Sequence, residues 1–159
     1  MKQKILSKIN KISFIFALLS PLLIYLGKRS LLAFDEGFYA LQAKWILINN
    51  DWVSPMWWDR VLLDRTIAIP FLIALSQKTF GENSFNIYLP NIIAGLIIIF
   101  LTYKTHEELI GKKYAIVSPL ILATTPLWIN YYHMATQDII FSAVVFSGIF
   151  SSIKAFKSK

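Results

Sequence analysis

Residues 34–66 read FDEGFYALQAKWILINNDWVSPMWWDRVLLDRT and hold five of the nine acidic residues of this 159-residue chain. The stretch lies between apolar segments long enough to be embedded in lipid, so it is where the chain can carry chemistry at a membrane face. From Glu36 to Asn49 the pattern is amphipathic, with Phe38, Leu41, Trp45 and Ile48 on one helical face and Gln42 and Asn49 elsewhere. That pattern predicts a helix lying in the interface. Asn49, Asn50 and Asp51 end it, and Pro55 with Trp52, Trp57 and Trp58 predicts an irregular stretch at headgroup depth. Residues 67–75 are apolar but too short to span and are interrupted by Pro70, which predicts a second interfacial or re-entrant helix closed by Gly81, Glu82 and Asn83.

Outward from this stretch the chain is apolar on both sides. With 56% hydrophobic and 16% charged residues and a mean hydropathy of +0.55, it is too apolar for a soluble domain of this size. Lys2, Lys4, Lys8 and Lys11 form a basic tail over residues 1–11, followed by an apolar run that extends through residues 12–32. Lys28, Arg29 and the bulky Leu31, Leu32 and Phe34 make a poor signal-peptide cleavage site, so a retained helix is expected. Further spans are expected at 87–103, 114–132 and 139–153, giving an all-α membrane module over residues 12–159. It has four transmembrane helices, with interfacial helices in a long first outer loop at 33–86.

Charge orients the module. The amino terminus, residues 104–113 and the segment after residue 153 hold ten of the sixteen basic residues and two of the nine acidic ones. Positive charge marks the cytoplasmic side, so both termini are expected inside and the site loop outside, in a plasma or inner membrane. A basic rim beside anionic lipid accounts for the net charge of +7 without a nucleic-acid partner. The chain has no cysteine, which excludes disulfides, thiolate metal sites and a cysteine nucleophile.

This topology collects Asp35, Glu36, Asp59, Asp64 and Asp138 on one face. Two readings stand side by side. Asp35 and Asp138 cap their helices, with Glu36 favourable in a first turn, or carboxylates at membrane depth form a working site. Arg65 by itself reads as a snorkelling interface residue. Trp52, Trp57 and Trp58 read as an interface belt. His133 reads as an interfacial hydrogen-bonding residue rather than a metal ligand.

The sequence resembles the lipid-linked-sugar glycosyltransferases of the GT-C fold, in particular the family 39 protein mannosyltransferases and the 4-amino-4-deoxy-L-arabinose lipid A transferases. The matching features are Asp35-Glu36 followed by Tyr39, Asp51-Trp52, and Asp64-Arg65 at an acidic-Lys-Pro-Pro-like motif. Phe80-Gly81, Leu89-Pro90, the run LATTPL at 122–127 and Asp138 follow in order. The resemblance implies inverting transfer of a sugar from a polyprenyl-phosphate donor to the hydroxyl of a lipid or protein acceptor. It gives Asp35 the role of general base, Asp138 that of orienting the acceptor or supporting the site, and Arg65 the donor phosphate. Glu36, Tyr39 and Asp64 are supporting candidates. No cofactor is implied, although some relatives bind a divalent metal at the Asp64 position. Phe38 and Tyr88 stand where relatives often carry arginine, and Thr66 replaces a proline. Family members have about a dozen helices, so this length is expected to be an amino-terminal part, completed by further helices, in frame or on a second polypeptide. The alternative is a non-catalytic four-helix membrane scaffold or an inactive relative.

Overall fold

In a computed structural model of the chain, the described residues are 15–16, 19–20, 22–24, 27–28, 30–32, 34–58, 60–63 and 65–158. The basic tail, much of the first expected span and Asp64 lie outside them. The elements are helix α1 (Asp35–Asn49), strands β1 (Met56–Trp57) and β2 (Arg60–Val61), and helices α2 (Ala68–Phe80) and α3 (Ser84–Leu109). A 3-10 turn (Lys112–Tyr114) leads into α4 (Val117–Thr124), α5 (Pro126–Tyr132) and α6 (Gln137–Lys157).

Two described helices are long and apolar enough to cross a membrane, α3 with 26 residues and α6 with 21. At about 1.5 Å per residue each covers the ~30 Å of a bilayer core. Both exceed the 87–103 and 139–153 expected, because their polar end turns continue the helix. Asn83 starts α3, its side chain accepting from the Asn86 N–H at 2.9 Å. The expected span at 114–132 is instead α4 and α5, separated at Thr125. Pro126 lacks an N–H and disfavours helical geometry in the residue before it, and Thr125 is extended, with φ −71° and ψ 122°.

A helix forms where the first loop helix was expected, and its buried side is not the Phe38, Leu41, Trp45 and Ile48 face. Glu36, Tyr39, Gln42, Ala43 and Ile46 are its buried residues, whereas Leu41 and Ile48 are exposed. A helix at a lipid boundary satisfies its apolar side with lipid, so the protein-facing side is free to carry polar groups that find partners. Tyr39, Ala43 and Ile46 pack on Ile69, Ile73 and Ala74 of α2. Pro70 falls in the first turn of α2, where a missing N–H costs little, and Gly81 ends that helix at φ 95°. Between α1 and α2 the chain forms a small antiparallel hairpin, Met56 opposite Val61 and Trp57 opposite Arg60, the one departure from an all-α description among the described residues.

The second core joins Leu22 to Tyr88, Ile92, Tyr132 and Ala135. Here the edge of the Tyr132 ring abuts Gly95, and a Cβ at residue 95 would overlap that edge. Gly95→Ala is therefore expected to cost about 1–3 kcal/mol through overpacking. The checking measurement is the melting temperature in detergent, and adding Tyr132→Leu should recover part of the loss.

The corner between α5 and α6 is tied by side chains from elsewhere in the chain. Asn91, buried in α3, donates to the carbonyls of Met134 at 2.6 Å and Thr136 at 3.0 Å. His133 contacts the carbonyls of Ile129 at 2.6 Å and Ile24 at 3.1 Å. A polar group inside an apolar span is stable only when paired, and here the pairing holds the start of α6 in place.

Candidate functional site

The site begins with a strained turn. Phe34 has φ 74° and ψ −93°, a conformation costing a non-glycine residue about 1–3 kcal/mol. It reverses the chain so that Glu36 Oε2 accepts the Leu32 N–H at 2.7 Å. Glu36 Oε1 accepts the Ala135 N–H at 2.7 Å. Glu36 is fully buried, so it clamps the start of α1 to the corner before α6 rather than facing a substrate.

Asp35 follows the opposite course. It occupies the first helical position instead of the cap, and its carboxylate is half exposed. Arg65 Nη1 donates to Asp35 Oδ1 at 2.7 Å and to the Tyr39 hydroxyl at 3.2 Å. Tyr39 donates onward to Gln137 Oε1 at 2.8 Å. The guanidinium also lies over the rings of Phe38 and Tyr39, 5.3 and 5.6 Å from their centroids. The hydrogen bonds with Asp35 and then with Tyr39 raise the Arg65 pKa above its already high ordinary value, so Arg65 is a permanent cation. Both contacts use Nη1. Among the described residues, Nη2 and Nε remain for a further acceptor.

The chain of bonds from Asp35 ends one residue before Asp138. Asp138 Oδ2 accepts from the Thr136 hydroxyl at 2.9 Å, and as an acid in the first turn of α6 it also suits the helix dipole. Thr66, Gln137 and Asp138 line the polar part of a cavity of about 550 Å³, whose apolar part is Ile69, Ile140, Phe141 and Val144. A lining that mixes these polar side chains and Ser142 with apolar ones fits an amphiphile.

Of the sequence candidates, the structure brings Asp35, Tyr39 and Arg65 into direct contact and sets Asp138 beside the end of their network. Glu36 turns inward. Asp64 lies outside the described residues. Trp52 is taken up by packing, bonded to Asn50 at 2.9 Å and edge-on to Phe71, whereas Trp57 lies against Phe38, beneath Arg65. Asp51 shapes its turn, accepting the N–H groups of Val53 at 3.0 Å and Ser54 at 3.1 Å. A hydrogen bond from the Ser54 side chain, followed by those two, lowers its pKa. Sequence reasoning missed Gln137 and Asn91. A lone amide in an apolar run, as at Asn91, is the signal that finds such residues.

The fold is that of a helical membrane glycosyltransferase of the GT-C class. It superposes on the crystal structure of ArnT from Cupriavidus metallidurans in the apo state with a TM-score of 0.85 at 20% identity, covering 92% of this chain and 27% of that one. The same protein bound to undecaprenyl phosphate gives 0.83, covering 89% and 26%. In sequence, residues 64–159 match the family of the dolichyl-phosphate-mannose-protein mannosyltransferases, and the chain belongs to that family. The undecaprenyl phosphate-alpha-4-amino-4-deoxy-L-arabinose arabinosyl transferase of Pseudomonas paraeruginosa is 32% identical over 87 residues, 55% of this chain and 16% of that protein.

Proposed function

We propose that this chain carries part of a transfer site in which a sugar moves, with inversion, from a polyprenyl phosphate to an acceptor hydroxyl at the outer face of the inner membrane. The carrying observation is the Asp35–Arg65–Tyr39–Gln137 network, which sets a permanent cation and an exposed carboxylate beside an amphiphile-shaped cavity. Family membership and a structural neighbour solved with undecaprenyl phosphate support the donor class.

The reaction is one displacement. The acceptor oxygen bonds to the anomeric carbon as the bond from that carbon to the phosphate oxygen breaks, and the polyprenyl phosphate leaves. The acceptor proton passes to Asp35, the general base. Arg65 stabilises the charge gathering on the phosphate with its remaining donors, and Asp138 orients the acceptor from the cavity wall. Before donor binding, Arg65 and Asp35 hold each other. The distribution of basic residues supports cytoplasmic termini and an outer site loop. A lipid or protein supplies the acceptor hydroxyl, and further helices, in frame or on a second polypeptide, complete the enclosure.

The test is binding of undecaprenyl phosphate to the chain in lipid nanodiscs. Arg65→Ala should weaken it about 10- to 100-fold, the range for losing a charge-assisted hydrogen bond. Equal affinity for wild type and variant would remove Arg65 from the site and leave a membrane scaffold as the better reading.

A further inference from the structure

The Tyr39 hydroxyl carries one proton and accepts from Arg65 at 3.2 Å. A guanidinium offers no acceptor, so that proton is directed to Gln137 Oε1, 2.8 Å away. This orients the amide, with its oxygen on Tyr39 and its nitrogen turned from it, on a side chain that lines the same cavity as Asp138. The link joins residues 98 apart in sequence and is the described hydrogen bond that ties the base-bearing helix α1 to α6. Without it, the Tyr39 hydroxyl that accepts from Arg65 loses the partner that sets its orientation, and the exposed ion pair with Asp35 is by itself a weak restraint on a long side chain.

We infer that Gln137 is a positioning residue. Acting through the Tyr39 hydroxyl, it fixes Arg65 where it can meet a polyprenyl phosphate, and so keeps the Asp35 and Asp138 halves of the site in register. This rests on the proposed function, because it presumes a phosphate for Arg65 to meet. Gln137 itself is exposed, and replacing it leaves the buried packing of α1 on α2 intact.

The experiment is a mutant cycle read as affinity for undecaprenyl phosphate in nanodiscs, with melting temperatures alongside. Gln137→Leu and Tyr39→Phe should each weaken binding about tenfold, the loss from one hydrogen bond in a charged network. The double variant should also lose about tenfold, because both changes break one relay. In an Arg65→Ala background, Gln137→Leu should have no further effect, and its melting temperature should match that of wild type. A double-variant loss of about a hundredfold would mean that the two side chains act separately, which overturns the relay. Sensitivity to Arg65→Ala with none to Gln137→Leu overturns the positioning role and leaves the proposed function standing. Insensitivity to both takes down the proposed function as well.

Discussion

Asp35→Asn is expected to lower kcat for glycosyl transfer by about 10²- to 10⁴-fold, the usual contribution of a general base. Binding of the donor and thermal stability should barely change. Asparagine keeps the size of the side chain and an oxygen for Arg65 to donate to, so the 2.7 Å contact has a replacement. What disappears is the capacity to take a proton. The carboxylate is half exposed, and an exposed ion pair contributes no more than about 1 kcal/mol to stability. The assay is transfer in membranes of the source cell carrying the variant in place of wild type, with donor affinity measured separately. Full activity would rule out Asp35 as the base. Loss of activity together with collapse of the melting curve would recast it as a structural residue.

The neighbouring residue should behave in the opposite way. Glu36→Ala is expected to loosen the site, at a cost of about 1–3 kcal/mol, because it strands the buried N–H of Ala135 and also releases that of Leu32. That is a large share of the total stability of a domain. Glu36→Gln should fare nearly as badly. The two N–H donors approach different oxygens of one buried carboxylate, and an amide can turn an oxygen to only one of them. The other donor would face an NH2 group. Melting temperature and protease resistance in detergent check both variants, and a Glu36→Gln protein as stable as wild type would refute the clamp. The adjacent acids thus separate by readout, Asp35 through rate and Glu36 through folding.

Much of this was legible before any coordinates. The acidic loop, a helix at each of the two places α1 and α2 occupy, the stop at Gly81 and the apolar segments at α3 and α6 follow from periodicity and from the turn chemistry of single residues. The buried face of α1 was not legible, because in a lipid setting amphipathicity shows which side is apolar and not which side meets protein. The break at Thr125 was written in Pro126, but average hydropathy runs across it. Strands of two residues are too short to show alternation, so the hairpin left no pattern. At the site, Asp35 and Arg65 could be named as candidates, yet their contact across thirty residues could not. Nor could the inward turn of Glu36, whose partner N–H groups have no side-chain signature. Gln137 stood beside the more conspicuous Asp138.

The clamp also sets an order of assembly. Ala135 is made 99 residues after Glu36, which at ribosomal rates of about 5–20 residues per second is roughly 5–20 seconds later. During that interval a nascent α1 has its carboxylate but not the backbone that receives it. Its exposed apolar residues Leu41 and Ile48 stay without protein cover throughout. A ribosome stalled before Ala135 would therefore leave α1 without its clamp, and the site would close only when the corner before α6 is delivered.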